Sequence, residues 1–211
     1  SKFSSVLSEI NSVAIGDNPA DLILQNCSLI NVYTNEIQGK TQISIKNDRI
    51  AFVGDDASHT RGPKTKILDV KNKFVCPSFV DPHIHIDHFL TPAEFVKKSL
   101  LCGVTSLFPD SIDIVSVCGY RGFKEFLRQT QNLPMRFFHT IPGGLPVDRK
   151  FSHGRTLSLK EEKQAIDSKS AIGLGEVFSW IKVTKRDAKT IKSIKQMHEN
   201  HCIINGHTAG A

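Results

Sequence analysis

The alternation of apolar and polar positions divides the chain into two parts of different character. A helix is predicted over residues 2–14, and short apolar runs separated by turn residues then continue to about residue 75. The runs are Leu22–Leu24, Leu29–Tyr33, Gln42–Ile45, Ile50–Val53 and Ile67–Val70. This pattern predicts a small, mainly antiparallel β domain, sandwich-like in character, over residues 1–75.

After Phe74 the pattern changes to apolar runs that alternate with amphipathic stretches. The runs predict strands at residues 74–80, 104–108, 135–140, 171–174 and 202–205. Helices are predicted between them, from Thr91 to Gly103, over residues 119–131, from Ser158 onward and over residues 184–200. Repeated strand–helix units imply a parallel sheet, and four units plus a fifth strand are typical of a (β/α)₈ barrel. We therefore expect an α/β fold in which residues 76–211 form the first five strands of such a barrel, ending before strands six to eight.

Two of these helices carry specific start signals. Thr91 is a candidate cap before Pro92, which suits the first helical position, and Glu94 is placed to close a capping box. Ser158 and Glu161 have the same capping-box spacing.

Composition and charge narrow the classes of protein. Of the 211 residues, 39% are hydrophobic and 23% charged, as in ordinary globular proteins. No apolar run approaches the ~18 residues that span a bilayer, and the first residues do not resemble a signal peptide. The net charge of +6 comes from scattered basic residues, and the densest run, residues 182–195, has the spacing of a solvated helix face. We expect neither a membrane nor a nucleic acid as partner.

Cysteine usage bears on the compartment. The five cysteines form no CxxC pair, their number is odd and their neighbours are apolar. They are interpreted as buried free thiols in a reducing environment, which predicts a cytoplasmic protein.

Candidate metal ligands follow three of the predicted strands. His83 and His85 follow the first strand, and residues two apart in an extended segment point the same way. Glu176 follows the fourth strand and His207 the fifth. Each residue alone is typical of an ordinary polar position, but together they lie where a parallel barrel has its active site. Histidine and carboxylate ligands suit Zn, Fe or Mn, and a bridging carboxylate suits two ions.

Four segments resemble a known family. Residues 79–86, with the sequence FVDPHIHI, resemble the first-strand motif of the metal-dependent amidohydrolase superfamily. Residues 18–34, 173–177 (GLGEV) and 206–210 (GHTAG) resemble the corresponding segments of adenine deaminases in particular. The resemblance extends over roughly residues 17–211 and concerns the N-terminal portion of that family.

The resemblance implies a reaction and roles for individual residues. His83, His85, Glu176 and His207 would bind a binuclear centre, with Glu176 as the bridge. Adenine would be hydrolysed to hypoxanthine and ammonia by metal-bound hydroxide attacking C6, while a carboxylate moves the proton. Glu176 and Asp113 are the candidate catalytic carboxylates.

Two aromatic side chains are candidate substrate contacts. His139 ends the third predicted strand and Phe178 follows the fourth. Each is either a contact to a purine base or an ordinary packing residue, and the sequence leaves the choice open.

The sequence also departs from the family pattern. Adenine deaminases carry a His-Glu pair after the second strand, but Ile112 stands at the histidine position, and Asp110 and Asp113 are the candidate replacements for the carboxylate. Asp87 and His88 follow the first-strand motif where the family has glutamate, and His88 is either an extra ligand or a polar loop residue.

These departures keep other functions open. The chain is either part of an adenine deaminase or part of another amidohydrolase, such as a cyclic amidase, a dihydroorotase-like enzyme or a deacetylase. It is alternatively an inactive fragment, whose open sheet edges would favour homo-oligomers.

Overall fold

A computed structural model describes residues 2–145 and 154–208. The chain divides into two compact units, Ser1–Pro77 and Ser78–Ala211. The boundary expected from the sequence, between residues 75 and 76, lies close to this division. No helix within the described ranges has the length and apolar character needed to cross a bilayer.

The first unit contains helix α1 (Lys2–Ala14) and one five-stranded sheet. Its strands are β1 (Leu22–Asn31), β2 (Glu36–Lys46), β3 (Arg49–Gly54), β4 (Lys66–Asp69) and β5 (Phe74–Val75). The order is β3-β2-β1-β4, and β5 pairs with the distal part of β1. The pairs β1–β2 and β2–β3 are antiparallel, whereas β4 and β5 run parallel to β1.

The described strands of this unit form one sheet, and the sandwich-like character expected from the sequence stays a prediction. β1 occupies the middle of the sheet, and β4 and β5 add to its free side instead of starting a second layer. The full length of β1 was not predicted from the sequence because the strand contains a bulge. The pairing register shifts between Leu24 and Cys27, and Asn26 has a φ of 57°. Such a bulge breaks the in-out alternation, so one strand gives two separate apolar runs.

In the second unit, all strand pairs among the described residues are parallel. Its strands are β6 (Phe79–Ile84), β7 (Val104–Pro109), β8 (Arg136–Phe137), β9 (Thr140–Ile141), β10 (Gly173–Val177) and β11 (Ile203–Gly206). They form two three-stranded sheets, β6-β7-β8 and β9-β10-β11, and a parallel bridge between Asp110 and Thr140 connects them. The third predicted strand is thus interrupted, although Phe138 N still donates to Leu107 O (2.8 Å) and Ile172 N to His139 O (2.8 Å).

Six helices of the second unit are described. They are α2 (Pro92–Leu101), α3 (Ile112–Cys118), α4 (Tyr120–Thr130), α5 (Leu159–Asp167), α6 (Trp180–Thr184) and α7 (Ala188–Glu199). Helix α3 was not expected, because its isoleucines and valines favour strands. The helix expected at residues 184–200 begins later, as α7 at Ala188, and α6 is a separate short helix before it. Between them Arg186 has a φ of 56°, and Asp187 caps α7 by accepting from Thr190 N (3.0 Å).

The core of this unit lies between the strands and the helices. Buried residues such as Phe123, Leu174 and Met197 form its larger cluster, and Ile86, Leu107 and Phe126 form a smaller one. Every residue of β10 is buried, whereas every residue of β11 is exposed. β10 is therefore an interior strand and β11 an open edge.

The cysteines are free, but they are less buried than expected. Cys27 is buried and Cys202 is half-buried, whereas Cys76, Cys102 and Cys118 are exposed. An apolar neighbourhood in sequence does not bury a residue that faces outward from its element.

One predicted helix start is confirmed in full. Ser158 Oγ accepts from Glu161 N (3.3 Å), and the Glu161 carboxylate accepts from Ser158 N (2.8 Å), which completes a capping box on α5. Pro92 is the first residue of α2 as expected, but the Thr91 side chain makes no capping bond there.

This difference predicts unequal effects of two matched substitutions. Ser158→Ala is expected to lower the free energy of unfolding by ~1 kcal/mol, because it leaves a helical N–H without its acceptor. Thr91→Ala is the control and is expected to have a clearly smaller effect. Urea denaturation of both variants measures this, and equal losses would contradict the capping assignment.

Candidate metal centre

Four side chains that the sequence singled out lie at one end of the parallel strands. His83 belongs to β6 and His85 follows it directly, Glu176 lies in β10, and His207 follows β11. Carboxyl ends of parallel strands meet at the same edge, so residues far apart in sequence come together there. In the described part of the chain, His83, His85 and Glu176 form a group whose ligand atoms all lie within 4.8 Å of one another.

The distances between these atoms are those of ligands around a cation. His83 Nε2 lies 3.2 Å from His85 Nε2 and 3.1 Å from Glu176 Oε1. His85 Nε2 lies 3.2 Å from Glu176 Oε2, and His207 Nε2 lies 2.8 Å from Glu176 Oε1. Ligand atoms at ~2.1 Å from one ion are separated by roughly 3.0–3.4 Å, which matches this spacing.

The Glu176 carboxylate shows that the residues fit a cation. Its side chain is 11% exposed. Its Oε2 atom is buried and makes no hydrogen bond to any residue that the structure describes. A buried carboxylate oxygen without a partner is costly, and a divalent ion would satisfy it. One oxygen faces His83 and His207, and the other faces His85.

The strand that carries Glu176 depends on glycine. A Cβ atom on Gly173 would overlap the Ile203 carbonyl, and one on Gly175 would overlap the Asp110 carboxylate. The two glycines of the GLGE segment therefore allow neighbouring strands to approach β10 closely, and they are not part of a turn.

Contacts behind the ligands orient their rings. His85 Nδ1 donates to the Asp110 carbonyl oxygen (3.0 Å), which leaves the Nε2 lone pair directed at Glu176. His83 Nδ1 lies 3.4 Å from the Asn205 side-chain amide, and Asn205 Oδ1 accepts from Gly206 N (2.7 Å).

Asp110, which the sequence offered only as a replacement for the family carboxylate, is fully enclosed in this site. It is 0% exposed, and its Oδ2 accepts from Glu176 N (2.6 Å). Burial raises the pKa of the Asp110 carboxyl to about 7. The sequence signal for this contact was Gly175. The absence of a side chain at residue 175 is explained only by the Asp110 carboxylate that lies against it.

The two departures from the family pattern lie next to each other. His88 Nε2 is paired with Asp113 Oδ2 (2.8 Å), and the His88 ring stacks on the ring of His85 with centroids 4.9 Å apart. Asp113 lies in the first turn of α3, where Ile114 N donates to Asp87 Oδ2 (2.9 Å). His88 therefore has a carboxylate partner of its own beside the ligand group.

The two candidate substrate contacts lie in different surroundings. His139 Nε2 is hydrogen-bonded to Thr130 Oγ1 (2.9 Å), and its ring packs against Phe126 and Phe137. These contacts are with α4 and β8 and do not include the ligand group. The Phe178 ring, in contrast, stacks on the ring of His207 with centroids 5.3 Å apart.

Comparisons with known proteins extend this picture. No family model matches the sequence. The chain is 55% identical over 208 residues to the adenine deaminase of Cenarchaeum symbiosum, 34% identical over 199 residues to that of Staphylothermus marinus, and 33% identical over 209 residues to adenine deaminase 3 of Rhizobium meliloti. These alignments cover 99%, 91% and 98% of the chain but only 34%, 33% and 35% of the relatives. The chain thus spans about a third of the length of these curated relatives.

Solved structures give the class of fold. A β-aspartyl dipeptidase from Fervidobacterium islandicum aligns with a TM-score of 0.62 at 15% identity, and an adenine deaminase with 0.55 at 16%. They match 88% and 89% of this chain and half of their own length. An E241Q mutant of the chlorohydrolase TrzN from Arthrobacter aurescens, complexed with zinc and atraton, aligns at 0.55 and 13% identity, over 73% of this chain and 46% of its own.

The likeness in fold is to amidohydrolase proteins, one of them complexed with zinc, and the ligand group described above is consistent with binding of a divalent metal. Within that class, the chain is similar in sequence to proteins named adenine deaminase and corresponds to the N-terminal part of these longer proteins. Residues 209 and 210 of the GHTAG segment, and most of the loop after Pro142, lie outside the described residues.

The pairing of His88 with Asp113 predicts which histidines bind metal. In the full-length protein, His85→Ala is expected to weaken Zn²⁺ affinity by at least ~100-fold, more than loss of an outer-shell contact does. His88→Ala serves as the matched variant and should bind Zn²⁺ nearly as well as wild type. Equilibrium dialysis measures both, and an equal loss in the two variants would make His88 a ligand.

The burial of His139 predicts a pH effect on stability. Burial lowers the pKa of His139 to about 4 from 6.5. The unfolded chain therefore binds the proton more readily than the folded chain. The stability that the neutral imidazole contributes is present above pH ~6.5 and is lost as the pH falls towards 4. His139→Gln removes this pH dependence, so its free energy of unfolding should rise relative to that of wild type by up to ~1.4 kcal/mol for each pH unit by which the pH is lowered in that window. Denaturation at several pH values measures the difference, and a constant difference would contradict the burial of a neutral imidazole.

Proposed function

We propose that this chain supplies the metal-binding part of an adenine deaminase, and that the whole protein hydrolyses adenine to hypoxanthine and ammonia. The supporting observation is the convergence of His83, His85, Glu176 and His207 in a chain 55% identical to a curated adenine deaminase. The proposal assigns the reaction to the whole protein, because the chain spans about a third of its relatives.

The donor set suits a binuclear centre of Zn, Mn or Fe. The three histidines would each offer one nitrogen, and Glu176 would use its two oxygens as a bridge. When bound, such a metal supplies Lewis acidity and lowers the pKa of a water ligand. The chain's own contribution is to hold the four side chains close together and to shield Glu176 from solvent.

Deamination also requires proton transfer to the ring and to the leaving amine. We assign this function to carboxylates, and Asp113, which lies beside the ligand group and is partly exposed, is the first candidate. Its pairing with His88 (2.8 Å) holds it beside His85 while leaving its side chain 49% exposed and accessible to substrate. Glu176, which belongs to the ligand group, is the second catalytic carboxylate that we propose.

The aromatic residues divide between two functions. Phe178 presents a flat ring stacked on His207, and a planar purine would pack well against such a surface. We therefore propose Phe178 as a substrate-binding residue. For His139 we propose a packing function, because its Nε2 atom is bonded to Thr130 and its ring packs against Phe126 and Phe137, away from the ligand group.

The remainder of the barrel belongs to the proposal as well. We infer that β6 to β11, with β8 and β9 together as the third strand, are the first five strands of a (β/α)₈ barrel, and that the rest of the longer protein supplies strands six to eight. Apolar residues are exposed on both outer strands, Phe79 and Val80 on β6 and Ile203 and Ile204 on β11. Further strands would pair at these edges, and in their absence the edges favour self-association. A homo-oligomer and a cytoplasmic location remain predictions.

A second candidate is another amidohydrolase acting on an amide or cyclic amide. The observation in its favour is the changed segment after β7, where Ile112 replaces the family histidine and Asp113 pairs with His88. These residues lie beside the ligand group, where a change of substrate would require changed contacts.

Ammonia release by the full-length protein separates the two candidates. With bound metal, adenine is expected to be converted to hypoxanthine, while hydantoin, dihydroorotate and N-acetylated substrates are not hydrolysed. Glu176→Gln is expected to abolish turnover, and residues 1–211 alone are expected to be inactive. Hydrolysis of a cyclic amide without adenine turnover would overturn the proposal in favour of the second candidate.

A further inference from the structure

We propose that Asp110 is a positioning residue that holds two ligands of the metal centre, His85 and Glu176, in a fixed relation to each other. The inference rests on the proposed metal centre and adds a residue outside the ligand group. Asp110 directly follows β7, a strand that carries none of the four candidate ligands, so the proposal gives the end of this strand a direct function in metal binding.

Asp110 contacts two of the three ligand-bearing strands, β6 and β10, with different atoms. Its backbone carbonyl accepts from His85 Nδ1 (3.0 Å), and its side-chain Oδ2 accepts from Glu176 N (2.6 Å). Its own N–H donates to Ile84 O (2.9 Å), one residue before His85. One buried residue thus connects the end of β6 to the middle of β10.

Each bond acts on the direction of a ligand. The bond at Nδ1 fixes which nitrogen of His85 carries hydrogen and turns Nε2 towards the centre. The bond at Glu176 N holds the backbone of the ligand itself, at the place where the pairing of β10 with β11 shifts register between Leu174 and Glu176. A shifted register leaves the local strand position less well defined, so a side-chain acceptor there determines where Glu176 lies.

Gly175 shows how closely the carboxylate and β10 fit together. A Cβ atom at residue 175 would overlap Asp110 Oδ2 and lie 2.8 Å from Thr140 Oγ1. The approach that allows Asp110 to reach Glu176 N is therefore available only when residue 175 has no side chain. Asp110 and Gly175 are expected to act as one matched pair.

The choice of residue type argues against simple space filling. Asp110 is fully buried, and its Oδ1 atom has no hydrogen-bond partner among the described residues. A buried carboxylate with an unsatisfied oxygen is unfavourable compared with an apolar side chain of similar size. A position needed only for packing would not require the acceptor that Glu176 N uses.

The first test measures Zn²⁺ affinity of the full-length protein by competition with a chromophoric chelator. Asp110→Ala is expected to weaken binding by at least ~10-fold, as loss of an outer-shell contact does. Asp110→Asn is expected to restore binding close to wild type, because the amide oxygen can accept from Glu176 N. Asp187→Ala is the matched control, because Asp187 also accepts a backbone N–H, from Thr190, at the start of α7. It should lower stability but leave Zn²⁺ affinity unchanged.

The second test uses Gly175. Gly175→Ala is expected to weaken Zn²⁺ binding about as much as Asp110→Ala does, and the double variant should bind little worse than either single one. Contacting residues that act as a unit show such non-additivity. If Asp110→Ala does not fold, as judged by circular dichroism, the Zn²⁺ affinity of Gly175→Ala is compared with that of Asp110→Asn instead. Weaker binding in Gly175→Ala than in Asp110→Asn supports the inference, and equal binding contradicts it.

Three results would overturn the inference. They are wild-type affinity in Asp110→Ala, an equal loss in Asp110→Asn and Asp110→Ala, and an equal loss in the Asp187 control. The second of these would mean that the negative charge matters and the hydrogen bond does not. Failure of the wild-type protein to bind Zn²⁺ in the same titration would instead reject the metal centre itself, so the two failures are distinguishable.

Discussion

The close approach of parallel strands around β10 is the constraint on which the site depends. Parallel pairing places the residues after β6, within β10 and after β11 at one edge, and glycine at 173 and 175 lets the neighbours come near enough for side chains to meet. Glu176 then lies within 3.2 Å of three histidine nitrogens in a mostly buried position. A divalent cation is the simplest group that offsets the burial of that carboxylate.

The surroundings of the ligands divide into a closed side and an open side. On the closed side, Asp110 connects His85 to Glu176 and is fully buried. On the open side, His88, Asp113 and Phe178 are more exposed and lie beside ligands without joining them. This division fits a centre whose rigid half positions metal and whose accessible half receives substrate. It also explains why departures from the family pattern gather at His88 and Asp113, where changes do not disturb the ligands.

The convergence of His83, His85, Glu176 and His207 was predictable from the sequence because its signals are local. An HxH after an apolar run, a GLGE segment and a later histidine each follow a strand, and strand ends converge in any parallel barrel. Asp110 was not predictable as a positioning residue, since its contacts are with His85 and Glu176, which lie 25 and 66 residues away in sequence. The bulge at Asn26, the interruption of the third strand and helix α3 were missed for a related reason. In each case tertiary contacts override the local apolar pattern.

The most direct test of the metal centre is anomalous diffraction from crystals of the full-length protein grown with Mn²⁺. We expect anomalous density between His83, His85, Glu176 and His207, with both oxygens of Glu176 in contact with metal. Density elsewhere, for example between His88 and Asp113, or no bound Mn²⁺ at a concentration that supports catalysis, would contradict the account.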